Sequence, residues 1–79
     1  MAAKSEPQDA EVFFLRGKVY VALGRYEEAR SALRHSIELR PTEPAPYYQL
    51  ARVYQKLGQT QMAREQFERV KYLESTSAR

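Results

Sequence analysis

The chain has no cysteine, a single histidine, three glycines and no long apolar run. Without cysteine there is no disulfide and no thiolate nucleophile, and most structural zinc sites fall away with it. The longest clean apolar run, residues 19–23, is far short of the roughly 20 residues that cross a bilayer. The N-terminal stretch, one lysine followed by serine, glutamate, proline and glutamine, does not read as a secretory signal. The expectation is a cytoplasmic protein with no membrane partner. Charge of one sign is also in short supply: 13 basic residues are interleaved with 10 acidic ones, a net of +3, where a nucleic-acid binder usually carries a dense basic stripe. Nucleic acid is therefore not expected as a partner. Gly17, Gly24 and Gly58 are too scattered for a phosphate-cradling loop. The lone His35, between Arg34 and Ser36, reads as a solvated side chain on an outer helix face rather than a base or a ligand. Glu27 with Glu28 reads as a complement to a helix dipole rather than an acid–base dyad. No catalytic residue, cofactor or metal is expected, and the chain does not read as an enzyme.

What the sequence does have is a repeat. Tyr20-Val-Ala-Leu23-Gly24 recurs as Tyr54-Gln-Lys-Leu57-Gly58 at an offset of 34 residues, and the same shift superposes Val19 on Val53, Ala29 on Ala63, Arg30 on Arg64 and Leu39 on Leu73. Class is kept where letters change: Phe13 with Tyr47, Phe14 with Tyr48, Gly17 with Ala51, Lys18 with Arg52, Leu33 with Phe67. A unit this short cannot bury its own apolar face and must stack on a neighbour. With 43% hydrophobic and 29% charged residues the chain is ordinary globular protein rather than a disordered segment.

Helical spacing divides each repeat into two helices. Phe13, Gly17, Tyr20 and Gly24 form one stripe of a helix over residues 10–23, ended by Gly24. A second helix over residues 26–39 turns Ala29, Leu33, Ser36, Ile37 and Leu39 inward, with Glu27 and Glu28 in its first turn and Arg40 at its end. Pro41, Pro44 and Pro46 break the chain there and open a third helix, capped by Thr42 or Glu43 and running to Leu57. Thr60 is the expected N-cap of a fourth, which carries Ala63, Phe67, Val70 and Leu73 and frays near Glu74 or Ser75. Arg34 with Glu38, Arg64 with Glu68 and Glu65 with Arg69 are spaced for surface ion pairs. The expected organisation is a polar N-terminal tail over residues 1–9, a first repeat over 10–43, a second over 44–75 and a C-terminal tail over 76–79.

The pattern resembles the tetratricopeptide repeat family. The first repeat offers Phe13, Gly17, Tyr20, Leu23, Gly24, Tyr26, Ala29, Leu33, Ser36 and Pro41; the second offers Tyr47, Leu50, Ala51, Tyr54, Leu57, Gly58, Ala63, Phe67 and Val70. The resemblance implies an all-α fold of two stacked helix-turn-helix repeats, four antiparallel helices that begin a right-handed solenoid. It departs from the family pattern at Arg16, whose repeat mate is Leu50, and at Lys71 and Ser75, which stand opposite Ile37 and Pro41. These read as polar substitutions at both ends of the array, either capping a two-repeat module or left by drift in a longer one.

Function in this family lies on the concave face, lined mainly by the first helix of each repeat. By resemblance that face holds Glu11, Phe14, Lys18, Val21 and Ala22 from the first repeat and Ala45, Tyr48, Gln49, Arg52, Gln55 and Lys56 from the second. The expected groove residues are Phe14, Lys18, Val21, Tyr48, Gln49, Arg52, Gln55 and Lys56, and the expected ligand is an acidic-hydrophobic peptide segment of a partner protein. The two-carboxylate clamp of chaperone-binding members does not transfer: Phe14 occupies its lysine place, Lys18 and Gln49 its asparagine places. The function expected is a protein-binding adaptor or scaffold, monomeric or weakly self-associating. The alternative is a self-association module that uses exposed faces of the terminal helices.

Overall fold

In a computed structural model the described residues, 9–77, form four helices. They are α1 (Ala10–Ala22), α2 (Tyr26–Leu39), α3 (Pro44–Lys56) and α4 (Thr60–Ser77), and among the described residues there is no strand. The expected tail residues 1–8 and 78–79 lie outside the described residues. Each helix packs on the next, α1 on α2, α2 on α3 and α3 on α4, and α1 also touches α3. This is the stacked pair of helical hairpins that the repeat implies.

The repeated Tyr-x-x-Leu-Gly is the device that turns the chain back inside each hairpin. In the first copy Leu23 is the C-cap and Gly24 follows at φ +76°. The Arg25 amide donates to the Tyr20 carbonyl at 2.9 Å, and the Gly24 amide to the Val21 carbonyl at 3.0 Å. The second copy repeats this, with Gly58 at φ +77°, Gln59 donating to Tyr54 at 2.8 Å and Gly58 to Gln55 at 3.1 Å. The left-handed backbone satisfies the last helical carbonyls and needs a residue without a Cβ. One residue then remains before the next helix, and it becomes the N-cap whatever its side chain. Gln59 is in that position, since its carbonyl accepts from the Ala63 amide at 3.0 Å, so Thr60 opens α4 instead of capping it. α4 also continues past the expected fraying point, to Ser77.

The other helix starts differ from one another for local reasons. Asp9, expected in the N-terminal tail, caps α1 by accepting from the Glu11 amide at 3.0 Å. Glu43 is the N-cap of α3, and neither it nor Thr42 supplies a side-chain hydrogen bond. Pro44 and Pro46 already remove two first-turn amides there, so little is left to cap. The Tyr47 hydroxyl donates to the Pro41 carbonyl at 2.8 Å and pins the linker between repeats.

The core is one cluster of Ala29, Leu33, Leu50, Val53, Tyr54 and Ala63, edged by Phe14, Tyr20, Val21, Tyr26, Ile37 and Leu57. Gly17 is buried beneath it, where α1 crosses α2 closely. A methyl group at Gly17 would lie 2.6 Å from both Cγ and Cδ2 of Leu33. At the far end of the same crossing the buried Ser36 hydroxyl donates to the Ala10 carbonyl at 2.9 Å, so this side chain, the one buried polar one among the described residues, is satisfied.

Two glycines therefore do different work, and substitution separates them. Gly17→Ala is expected to cost about 1–3 kcal/mol through overpacking against Leu33. Gly24→Ala meets no atom within 4 Å and is expected to cost about 1–2 kcal/mol through its left-handed backbone alone. Gly24→Asn, which tolerates that conformation, is expected to recover most of the second loss. Urea denaturation of the three variants measures this, and equal destabilisation by Gly24→Ala and Gly24→Asn would contradict the backbone explanation.

Candidate functional site

The expected groove residues fall on α1 and α3, the two helices that meet across the repeat boundary without a loop between them. Phe14 and Val21 are half-buried and packed against the core cluster. Lys18 is exposed, and its Nζ lies 5.3 Å from the centroid of the Phe14 ring. One side of that aromatic thus rests on the core and another under a cation, so Phe14 and Lys18 act as a unit. Their repeat mates are arranged otherwise. Tyr48 is 43% exposed and meets Phe67 of α4 edge-on, with ring centroids 5.8 Å apart, while Arg52 is exposed. Gln49 is half-buried, and Gln55 and Lys56 are exposed on the last turn of α3.

A cleft of about 110 Å³ opens near the starts of α1 and α3, lined by Ala10, Glu11, Phe14, Ser36, Arg40, Glu43, Ala45 and Pro46. Among these, Glu11, Phe14 and Ala45 are concave-face residues by resemblance. Arg40 and Glu43, which sequence reasoning did not place here, form an exposed ion pair at 3.9 Å on its rim. Such a pair contributes little stability, but it puts both signs of charge beside an apolar notch.

The ion pairs differ from those expected. Arg34 with Glu38, Arg64 with Glu68 and Glu65 with Arg69 do not pair. Instead Arg25 grips Glu28 with two hydrogen bonds, at 2.8 and 2.9 Å, and Arg30 pairs with Glu27. Glu27 and Glu28 thus each answer an arginine one turn away, and neither is held as half of an acid–base dyad. Helical spacing brings several partners within reach at a few tenths of a kcal/mol apiece, so spacing alone does not select among them.

His35 corrects a second expectation. It is half-buried, and its ring stacks on Phe13 with centroids 4.0 Å apart and planes 24° from parallel. The Arg16 guanidinium carbon lies 5.3 Å from the centroid of the same Phe13 ring. The outer face of α2 is therefore covered here by α1, and the histidine fills space. Helical periodicity carries no signal for this contact, which depends on the Phe13 ring reaching across from α1.

The polar reading is corrected at the α1 end. Around α1 apolar side chains occur on every side, and Leu15, Val19 and Leu23 are exposed. A helix apolar all round is one that usually has neighbours all round. Only Arg16 interrupts this strip, whereas Arg64 and Lys71 are exposed on α4. Among the described residues no helix is long and apolar enough to cross a membrane.

Residues 17–58, more than half of the chain, match a family model described as TPR repeat. Residues 44–77 match a second model, described as tetratricopeptide repeat. No curated protein matches the chain.

The Phe13–His35 stack yields a stability prediction. His35→Ala is expected to cost about 0.5–1.5 kcal/mol beyond the few tenths typical of a surface site, and His35→Phe to retain most of the native stability. Chemical denaturation checks both, and a neutral His35→Ala would return the residue to the solvated role.

Proposed function

Because the chain belongs to the tetratricopeptide repeat family, whose repeats are generally protein–protein interaction modules, we propose that it binds a peptide segment of a partner along the face shared by α1 and α3. The segment combines apolar anchors with carboxylates. The observation that carries this reading is charge: of the residues assigned to that face, Lys18, Arg52 and Lys56 are exposed with no ion-pair partner among the described residues, and the one acid is Glu11. Unpaired cations on one face steer an acidic segment in and hold it in register. The exposed edge of Tyr48, already braced by Phe67, offers a rigid aromatic anchor at little entropic cost. Gln49 and Gln55 supply amides that hydrogen-bond an extended backbone.

The alternative, self-association through terminal-helix faces, is favoured by one observation, the exposed Leu15, Val19 and Leu23 of α1. Sedimentation over a range of concentrations separates the two, since a monomer at every concentration removes the alternative.

The test of the groove is charge reversal. Lys18→Glu with Arg52→Glu is expected to weaken an acidic-hydrophobic peptide by more than about tenfold at low salt, and the difference is expected to shrink as salt screens it. Fluorescence anisotropy with a labelled peptide measures both. Unchanged affinity in the double variant removes this site.

A further inference from the structure

The 34-residue offset compares surroundings as well as residues. Shifted along the chain, Val12, Arg16, Val19 and Leu23 of α1 become Pro46, Leu50, Val53 and Leu57 of α3. On α3 this face lies under α2: Pro46, Leu50 and Val53 are buried, and Leu57 packs against the core. On α1 Val19 is 56% and Leu23 61% exposed, with Leu15 beside them at 48%.

The cavities agree. A cleft of about 270 Å³ is lined by Phe13, Arg16, Tyr20, Glu28, Ala32 and His35, with Ser31. In the second repeat the corresponding cleft is lined by Leu50, Tyr54, Met62 and Gln66, and α2 completes it with Arg34, Ile37 and Glu38. The first cleft is the same seat without the wall that α2 provides.

Arg16 decides what can occupy it. It stands in the place of Leu50, beside which the native repeat boundary puts Ile37. Among the described residues it forms no ion pair, resting only over Phe13. A helix laid here desolvates the guanidinium, and a buried cation left without a carboxylate is strongly unfavourable. A second copy stacked head to tail brings α4, which sets Glu68, Lys71 and Tyr72 in the places of Arg34, Ile37 and Glu38; at the register where Ile37 stands beside Leu50, cation would meet cation. Two copies joined α1 to α1 about a two-fold axis enclose two Arg16 side chains in one apolar seam. Like charge opposes the two-fold packing throughout and the head-to-tail packing at the Lys71 register.

We propose that this face of α1 is the docking site for an amphipathic helix of a partner protein, seated as α2 sits on α3. In α2 Leu33 belongs to the core cluster with Leu50 and Val53 of α3, Tyr26 and Ile37 pack against that cluster, and Ile37 lines the cleft beside Leu50. The partner helix accordingly carries large apolar residues at positions i and i+7 and a carboxylate at i+11, which pairs with Arg16.

The probe is a peptide of residues Tyr26–Leu39 with Ile37→Glu, its helix locked by a side-chain bridge between positions 27 and 31, both exposed in α2 and neither lining the cleft against α3. Anisotropy is expected to show that it binds the full chain at least about tenfold tighter than the same peptide with Ile37→Lys. In an Arg16→Glu chain the preference reverses, while the Lys18→Glu, Arg52→Glu chain binds as the native one does, which keeps this face distinct from the groove. Arg16 is exposed, and circular dichroism checks that its reversal leaves the fold intact. Absence of binding, equal affinity for the two peptides, no reversal with Arg16→Glu, or loss of binding in the groove variant each overturns the proposal. So does sedimentation of the native chain as a dimer at micromolar concentration.

Discussion

The structure depends on Leu33. This side chain is fully buried, and it belongs at once to the hairpin of the first repeat and to the boundary with the second. Towards α1 it occupies the space that a Cβ on Gly17 would need. Towards α3 and α4 it joins Leu50, Val53, Tyr54 and Ala63 in a single cluster. A 34-residue hairpin has only two helices with which to cover an apolar residue, and they cover it on one side only. Stacking covers the other, so α2 is an inner helix with two partners. Gly17, Ala29, Ala51 and Ala63 are small for the same reason: each lets a helix axis come close enough for the larger side chains to interdigitate.

The four helices were legible because their signals are local. Tyr-x-x-Leu-Gly contains everything the reversal needs: the residue whose carbonyl accepts the closing bond, the C-cap leucine and the glycine that turns left-handed. The proline cluster is legible for the same reason. Expectations failed where the outcome depends on a choice between nearly equal local options. Thr60 is a better N-cap than Gln59 by side chain, but the tight turn leaves only position 59 for the cap, and geometry outweighs about 1 kcal/mol of capping preference. Arg25 and Arg30 took the acids of α2 because the pairs at three residues happened to align, at energies too small to forecast. His35 was misjudged because periodicity places it on an outer face, whereas the Phe13 ring reaches across from α1 to cover it.

The proposed groove is a set of positions given by resemblance. Resemblance says which positions line the concave face, and the structure adds how each side chain is held. The two repeats differ there in a way letters conceal. Phe14 with Lys18 and Tyr48 with Arg52 are matched in class, yet one aromatic sits beneath its cation and the other leans on α4. The face thus carries an aromatic shielded by charge in the first repeat and an exposed aromatic edge in the second.

The ends of the array show why substitution and exposure must be weighed together. Arg16 and Lys71, taken singly, look like equivalent polar replacements of Leu50 and Ile37. On the structure they differ in context: Arg16 interrupts an otherwise apolar strip on α1, while Lys71 lies on a helix whose exposed surface mixes Met62 and Tyr72 with Arg64, Glu65, Glu68 and Arg69. A solenoid whose ends matched would extend by stacking copies, because the repeat boundary is itself the template for that contact. Here the contact that template makes between Ile37 and Leu50 becomes Lys71 against Arg16. Like charges at that register oppose polymerisation without removing the apolar surface around Arg16, and that surface stays open to a helix that brings the opposite charge.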